Sequence, residues 1–171
     1  MSNSKMFTHV EGTTVILERE FDAPRDLVFA AFSDCTHLTH WWGPRGWELP
    51  VCKMDFRVGG SWLYCMKCID ESMGEFYGME SWGKAVYHSI DAPTRIEYTD
   101  YFVDSEGTIN SDLPATDAVT EFIDLGDRTK VISRSRYDTA EQVKTVLDMG
   151  MLEGVTQTWD RLEEHLAGVR A

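Results

Sequence analysis

The sequence has few basic residues and no long apolar run. Its 171 residues include 16 lysines and arginines against 29 aspartates and glutamates, which gives a formal net charge of −13. Nucleic acids and anionic membranes attract basic surfaces, so this charge argues against both as partners. No segment approaches the ~20 consecutive apolar residues that span a bilayer. The sequence therefore predicts no nucleic-acid binding and no membrane insertion.

Cysteine is scarce as well, with four residues in the chain. Cys65 and Cys68 have C-x-x-C spacing, but they lie in a strand-like run, where residues three apart point to opposite faces. Without a break in that strand they could share neither a metal nor a disulfide, and no second C-x-x-C follows. We interpret all four cysteines as reduced, structural thiols. Residues 1–7 lack an apolar core long enough for a signal peptide, so we expect a cytoplasmic protein.

Motifs of metal, nucleotide and nucleophile sites are missing from the sequence. It contains no H-E-x-x-H, no Walker loop, no dinucleotide fingerprint and no G-x-S-x-G. His37 and His40 are three residues apart on a predicted short helix and could share a metal ion. The favoured alternative is a pair of surface histidines beside a buried tryptophan pair. The sequence therefore predicts no metal and no cofactor.

Aromatic residues, by contrast, are frequent. Phe, Trp and Tyr make up 12% of the chain, with six tryptophans among them. This is more than the packing of a small core requires, and it is typical of a protein with a roomy apolar pocket.

Hydrophobic alternation and turn residues predict a chain rich in β-strands. Residues 1–11 are polar and expected to be loose, and residues 12–171 are expected to form a single domain. A first strand over 13–21 should lead into two short helices, the first starting near Pro24 and the second ending near Trp42. Further strands are expected over 48–57, 61–69, 82–90, 95–103, 118–125 and 129–137.

The C-terminal segment predicts one long helix. Thr139 and Gln142 have the spacing of a capping box, and Gly168 suits the end of the helix. The helix would run for roughly 28 residues and ~40 Å. Gly150 and Gly154 lie inside it and each costs up to ~1 kcal/mol relative to alanine. Close approach to the sheet or room for a ligand would offset that cost; a tolerated kink is the alternative. The apolar stripe of the helix consists of Val143, Leu147, Met151, Val155, Trp159, Leu162 and Leu166.

This order of elements predicts an α+β fold in which a curved antiparallel sheet packs its helices on one face. Several local motifs point to a family with the same order. They are Arg19-x-Phe21-x-Ala23-Pro24, Val28-Phe29, Trp41-Trp42-Gly43-Pro44, Asp55-x-Arg57-x-Gly59-Gly60-x-Trp62, Gly83, Pro93-x-Arg95-Ile96, Gly150-Met151-x-x-Gly154 and Asp160-x-Leu162. One departure is Val155, since relatives often carry tryptophan there.

Together these motifs resemble the START-like, or helix-grip, superfamily. Within it they are similar to the branch containing the C-terminal domain of the activator of the heat shock protein 90 ATPase and its small bacterial relatives. The resemblance covers roughly residues 15–167. It implies a sheet of six to seven strands around the long C-terminal helix, with two short helices after the first strand. It also implies a lipophilic small molecule between helix and sheet, although a minority of such proteins are cyclases or hydrolases and a few act through protein partners.

The candidate ligand-binding residues are aromatic and apolar side chains expected to face inward. The Trp41-Trp42 pair could form a lip at the mouth of a cavity or plug one end of the fold; the plug is favoured, and the two roles are compatible if each tryptophan takes one. All the candidates would serve equally well as ordinary core. They are Trp41, Trp42, Trp62, Tyr64, Met66, Trp82, Tyr98, Phe102, Met151, Val155 and Trp159.

Asp100 is the best candidate for a polar functional group. It shares a strand face with Tyr98 and Phe102, and a buried carboxyl is costly unless it is paired. The alternative is a register slip or bulge that sends it to solvent, which the sequence favours.

We therefore interpret the protein as a non-catalytic binding domain for an apolar or aromatic small molecule. One alternative is a cyclase- or hydrolase-like enzyme that uses Asp100 with Tyr98 or Tyr64. Another is a partner-binding regulator, as the resemblance to the activator suggests. Edge strands and a C-terminal helix are also compatible with a homodimer.

Overall fold

The computed structural model describes residues 6–170 and contains an eight-stranded antiparallel sheet covered by helices. The strands are β1 (Phe7–Glu11), β2 (Thr14–Phe21), β3 (Trp47–Met54), β4 (Ser61–Cys68), β5 (Glu80–Asp91), β6 (Arg95–Phe102), β7 (Thr116–Asp124) and β8 (Thr129–Arg136). They lie side by side in the order β1-β2-β8-β7-β6-β5-β4-β3. The helices are α1 (Arg25–Ser33), α2 (Cys35–Trp41), α3 (Ala140–Asp148) and α4 (Met151–Arg170), with a short 3₁₀ helix at Glu71–Phe76. The predicted α+β, helix-grip architecture is confirmed, with one strand more than expected.

The additional strand is β1, in a segment that the sequence analysis expected to be loose. It pairs antiparallel with β2, from Phe7 opposite Glu18 to Glu11 opposite Thr14. All five of its side chains are exposed. Its pairing therefore rests on backbone hydrogen bonds along the edge of the sheet, and without a buried face the segment shows no hydrophobic alternation. Residues 1–5 lie outside the described residues.

The inner face of the sheet carries the core, and the outer face carries ion pairs. Along β2, the buried residues alternate with half-exposed ones from Thr14 to Phe21. On the outer face, Arg134 of β8 pairs with Glu121 of β7, and Arg136 pairs with Asp117. Asp117 lies directly opposite Arg136, and Glu121 is a diagonal neighbour of Arg134, so each carboxylate is within reach of its arginine.

The first two helices close one end of the sheet. Pro24 is the N-cap of α1, one position earlier than a proline at the first helical position. The Asp34 side chain accepts a hydrogen bond from the backbone N–H of Thr36, at 2.9 Å, which caps α2. The two helices bury Val28, Phe29 and Trp41 in the main core.

The predicted long C-terminal helix is divided into two, which corrects the sequence analysis. Helix α3 ends at Asp148, and Gly150 has a φ of +84°, a left-handed conformation that interrupts the helix. Gly154 lies inside α4, and Gly168 does not end it, since α4 continues to Arg170. The predicted cap at Thr139 is present, accepting from Gln142 N at 3.1 Å. Within residues 6–170, no helix is both long and apolar enough to cross a membrane.

A disulfide between Cys35 and Cys52 is a second correction, because all four cysteines were expected to be reduced. The two residues are 17 positions apart, but the packing of α2 against β3 brings their Cα atoms to 5.9 Å, within the usual range for a disulfide. Cys65 and Cys68 are free and buried. Since disulfides are typical of oxidising compartments, this one gives no support to the expected cytoplasmic location.

Candidate functional site

A cavity of about 400 Å³ lies between the inner face of the sheet and the α3–α4 segment. Met149, at the break between the two helices, is 58% exposed and lines the cavity, so the cavity reaches the surface there. Its walls combine aromatic rings, methionines and a row of hydroxyl groups. The lining residues are Leu17, Phe32, Trp42, Gly43, Pro44, Tyr64, Met66, Ser81, Trp82, Tyr98, Asp100, Tyr101, Phe102, Thr116, Ala118, Thr120, Ser133, Ser135, Tyr137, Val146, Met149, Gly150, Met151, Gly154, Val155, Thr158 and Trp159.

Nine of the eleven candidate ligand-binding residues line this cavity. They are Trp42, Tyr64, Met66, Trp82, Tyr98, Phe102, Met151, Val155 and Trp159. Period-two alternation along the strands and the apolar stripe of the C-terminal segment account for this agreement, because both patterns identify inward faces.

Trp41 and Trp62 lie elsewhere. Trp41 is fully buried, and its indole N–H donates to the backbone oxygen of Ala31 at 3.0 Å. Trp62 packs behind the cavity wall, with its ring centroid 4.8 Å from that of Trp42, and its indole N–H lies 3.2 Å from the Cys52 sulfur. The Trp41-Trp42 pair is therefore divided: Trp41 plugs the core, and Trp42 forms part of the wall.

Arg161 attaches the part of the cavity wall around Trp42 to α4. The guanidinium of Arg161 donates to the backbone oxygens of Gly43, at 2.7 Å, and Trp47, at 3.2 Å. These contacts fix the chain that follows Trp42 against the helix. The indole N–H of Trp42 is buried and has no hydrogen-bond partner within residues 6–170. Buried donors are usually paired, so this one is an unusual feature of the cavity wall.

Asp100 lies inside the cavity together with Tyr98 and Phe102, which corrects the favoured expectation that it points to solvent. Strand β6 pairs with β7 in regular register through Asp100 opposite Thr116. The irregularity in this part of the sheet is on β5, between Tyr87 and Ser89, and it does not turn Asp100 outward.

The Asp100 carboxyl is held by one neighbouring hydroxyl. Tyr64 O–H lies 3.1 Å from Oδ1 and 3.0 Å from Oδ2 of Asp100. Burial raises the pKa of Asp100 from 3.8 to about 7, and the hydrogen bond from Tyr64 opposes that rise. Burial, followed by the adjacent carboxyl, raises the pKa of Tyr64 well above its usual range. Near neutral pH both the protonated and the ionised form of the Asp100 carboxyl are therefore accessible, so this group can donate or accept a proton.

Gly83 on β5 fixes the position of the Tyr64 ring. The two residues are directly opposite in the β4–β5 pairing. A Cβ atom at residue 83 would lie 2.3 Å from Cζ and 2.4 Å from the hydroxyl oxygen of Tyr64. The ring therefore lies across the bare backbone of Gly83, and any larger residue there would displace the hydroxyl that reaches Asp100.

Hydroxyl side chains on β7 and β8 form the wall that the sequence analysis did not identify. Thr116, Thr120, Ser133 and Ser135 all line the cavity. A signal for the two serines was available, because Ser133 and Ser135 alternate along the strand with Arg134 and Arg136, whose charges favour the outer face. The signal was weak because small polar residues are frequent on either face of a strand.

Asp100 is the only charged side chain among the described residues that line the cavity. No lysine, arginine or histidine of residues 6–170 faces it. An acidic ligand would therefore find no counter-ion here, whereas an apolar ligand would find rings, thioethers and hydroxyls. The cavity is thus suited to an amphipathic molecule that is not an anion.

Three histidines meet outside the cavity, between α2 and α4. His37 Nδ1 lies 2.9 Å from His165 Nε2, and the His40 ring is stacked on His165 with centroids 5.3 Å apart. Burial, together with the two neighbouring rings, lowers the pKa of His165. In the part of the chain that the structure describes, no three histidine, cysteine or acidic side chains are arranged to hold a metal.

A second depression, of about 530 Å³, lies between α4 and the strands β1 and β2. Two of its three charged members, Arg19 and Asp160, pair with each other at 2.7 Å, and Arg19 also pairs with Glu163 at 2.6 Å. These ion pairs tie β2 to α4. The inner cavity is the better candidate site, because its walls are mostly apolar and its one carboxyl has no basic partner within residues 6–170.

Solved structures with the same fold come from several bacteria. A solution NMR structure of a protein from Arthrobacter aurescens is 28% identical, with a TM-score of 0.84, and the match covers 96% of this chain and 91% of that one. A crystal structure of a protein from Mycobacterium smegmatis is 26% identical, with a TM-score of 0.82 and coverage of 95% of each chain. A solution NMR structure from Staphylococcus epidermidis is 28% identical, with a TM-score of 0.80, covering 95% of this chain and 94% of that one.

A comparison with curated proteins finds no match. The sequence profile described as "Activator of Hsp90 ATPase homolog 1-like protein" matches residues 22–167. That span includes both short helices, six of the eight strands (β3 to β8), all of α3 and most of α4. Because the profile covers well over half of its length, the chain belongs to the family of activator of Hsp90 ATPase homolog 1-like proteins.

Proposed function

We propose that this protein binds an apolar or aromatic small molecule in the cavity between the sheet and the α3–α4 segment, without catalysing a reaction. The observation that carries the proposal is the cavity itself, whose walls are mostly aromatic and aliphatic with a few convergent polar groups. Its volume of about 400 Å³ is within the range of ligand sites in proteins. Ligand-binding proteins are also known within this fold family.

Gly154 supports the proposal from the helix side. Its position lines the cavity, and a Cβ atom built there would meet no other atom within 4 Å. A glycine inside a helix costs up to ~1 kcal/mol relative to alanine. No close approach of the sheet requires this glycine, and a side chain at this position would enter the space of the cavity.

The proposal is tested by filling that space. In the Gly154→Leu variant, the new side chain projects into the cavity while helix propensity improves. The matched control is Gly168→Leu, on the exposed face of the same helix, where a Cβ also meets open space. A panel of uncharged aromatic and aliphatic compounds is added to each protein, and the melting temperature is recorded.

We expect ligands that bind the wild type to raise its melting temperature by mass action, and to raise that of Gly168→Leu equally. The Gly154→Leu variant should lose the shift. A panel with no effect on the wild type would overturn the proposal. An equal shift in all three proteins would show that ligands bind elsewhere.

Proton-transfer catalysis in the same cavity is a second candidate, favoured by the Asp100–Tyr64 contact. A carboxyl with a pKa of about 7 is suited to general acid–base work near neutrality. Under this alternative, a panel of fluorogenic esters and lactones should reveal a turnover that Asp100→Asn abolishes while the melting temperature is maintained. Binding without turnover across the panel would favour the first proposal.

A further inference from the structure

Among the described residues, one charged side chain lines the cavity, and no side chain of the opposite charge does. Asp100 lines it, and none of the ion pairs found within residues 6–170 involves this carboxyl. We infer that the ligand is an amine with an apolar or aromatic body, and that its ammonium group pairs with Asp100. This inference rests on the proposed binding function.

The hydrogen bonding of Asp100 leaves room for such a partner. Tyr64 O–H is near both carboxyl oxygens, at 3.1 and 3.0 Å, but a hydroxyl has a single proton to donate. An ionised carboxylate can accept about four hydrogen bonds. Most of its acceptor capacity is therefore unfilled by protein, on a group that protein atoms surround and that faces the cavity.

Three classes of ligand head group would interact differently with Asp100. An anion would be buried beside a carboxylate with no basic residue in the described lining, which is unfavourable. A neutral hydroxyl would form an ordinary hydrogen bond with Asp100. An ammonium would form a charge-assisted hydrogen bond, in surroundings where the low effective dielectric strengthens the attraction.

Aromatic rings around Asp100 also favour a ligand with an ammonium group. Tyr64 donates to the carboxyl, Tyr98 is its neighbour on the same strand face, and Trp82 also lines the cavity. The negative faces of such rings attract cations. The net charge of −13 also raises the concentration of cations near the protein surface.

The pKa of Asp100 gives the inference a pH signature. Burial raises that pKa to about 7, so below neutrality the carboxyl is mostly protonated in the free protein. A bound ammonium requires the carboxylate, so binding of an amine then releases a proton from Asp100 to the buffer. Affinity for an amine should consequently fall as the pH falls below about 7, whereas affinity for an alcohol should change little.

The experiment uses three probes with the same body and different head groups: phenylbutylamine, phenylbutanol and phenylbutyrate. Their affinities for the full chain are measured by isothermal titration calorimetry at several pH values, in two buffers of different ionisation enthalpy. At about pH 8 we expect the amine to bind roughly tenfold or more tightly than the alcohol, with the carboxylate weakest. At about pH 6 the amine should release close to one proton on binding.

Asp100→Asn should reduce the advantage of the amine over the alcohol to within about twofold, while alcohol binding is kept. Glu48→Gln is the control: it removes one charge from an exposed position that does not line the cavity, and should retain the advantage. If Asp100→Asn does not fold, the pH dependence of amine affinity and the proton release measured on the wild type still test the inference.

Equal affinities of the amine and the alcohol, or tighter binding of phenylbutyrate, would overturn the inference and leave the proposed binding function intact. The absence of binding by all three probes would also overturn the inference, and the panel of uncharged compounds would then decide whether the binding function itself stands.

Discussion

The two ends of the space between sheet and helices are packed very differently. At the closed end, under α1 and α2, Phe21, Trp41 and Leu162 are fully buried. Rings meet edge to face there: the centroids of Phe29 and Phe122 are 5.1 Å apart. At the open end, under the α3–α4 break, a cavity of about 400 Å³ remains. The same face of one sheet therefore supports a filled core and a cavity.

The helices packed on the sheet explain the difference in packing between the two ends. Two extra helices supply large apolar side chains to the closed end, and the second half of α4 adds Leu162 and Leu166. Over the open end the chain supplies Gly150, which breaks the helix, and Gly154, which leaves space. We infer that the closed end supplies most of the stability and that the open end is available for binding, since binding sites are drawn from less tightly packed regions.

The largest predicted effect contrasts two positions on α4. Leu162→Ala, at the closed end, should lower the free energy of unfolding by about 2–5 kcal/mol, because the side chain is fully buried among close neighbours. Met151→Ala, at the open end, should cost about 1 kcal/mol, since one side of Met151 already borders the cavity. Urea denaturation of both variants measures the difference. Equal costs would mean that the two ends are packed alike.

A smaller effect is predicted for Asp100→Asn, and it depends on pH. The pKa of Asp100 is about 7 in the folded protein against 3.8 for a free carboxyl, so the folded state holds the proton more tightly. Its contribution to stability is therefore present below about pH 4 and lost as the pH rises through about 7. Asparagine does not ionise, so the variant avoids that loss.

At each pH, the stability of the variant is compared with that of the wild type. We expect this difference to favour the variant by on the order of 2 kcal/mol more at about pH 8 than at about pH 5. The value is below the full linkage value because the carboxyl borders a cavity open to solvent. Thermal unfolding at both pH values measures the gain. The titration of His165 is common to both proteins and cancels in the difference. A gain independent of pH would contradict the raised pKa of Asp100.

The smallest predicted effect compares two glycines of α4. Gly154→Ala should stabilise the protein by up to ~1 kcal/mol, because alanine favours the helix and its Cβ meets open space. Gly168→Ala, near the end of the helix and exposed, should give a smaller gain, as helix ends fray. Thermal unfolding without ligand compares the two. Destabilisation by Gly154→Ala would show that the open end has no spare room.

Much of the cavity wall could be predicted because it follows local periodicity. Alternation in β4 and β6 assigned Tyr64 and Tyr98 to the inner face, and the helical stripe assigned Met151 and Val155. Trp62 was assigned inward by the same rule and does face inward, but it packs behind Trp42. Alternation identifies a face, and it does not say which inward residue reaches the cavity.

Long-range contacts account for several features that the sequence did not predict. The disulfide joins Cys35 to Cys52 through the packing of α2 on β3. The exposed strand β1 exists because β2 offers an unpaired edge. Alternation within β6 puts Asp100 on the face of Tyr98 and Phe102, but the regular register with β7 that keeps it there depends on the neighbouring strand.

The order of the elements, the inward faces of most strands and the acidic surface could be predicted, because these depend on residues close together in the chain. Packing between distant segments decided that Gly150 breaks the C-terminal helix and that Gly83 holds the Tyr64 ring against Asp100. It also decided that space remains at one end of the sheet. Packing of distant segments fixes these features, since a cavity is defined by side chains from many strands and helices at once.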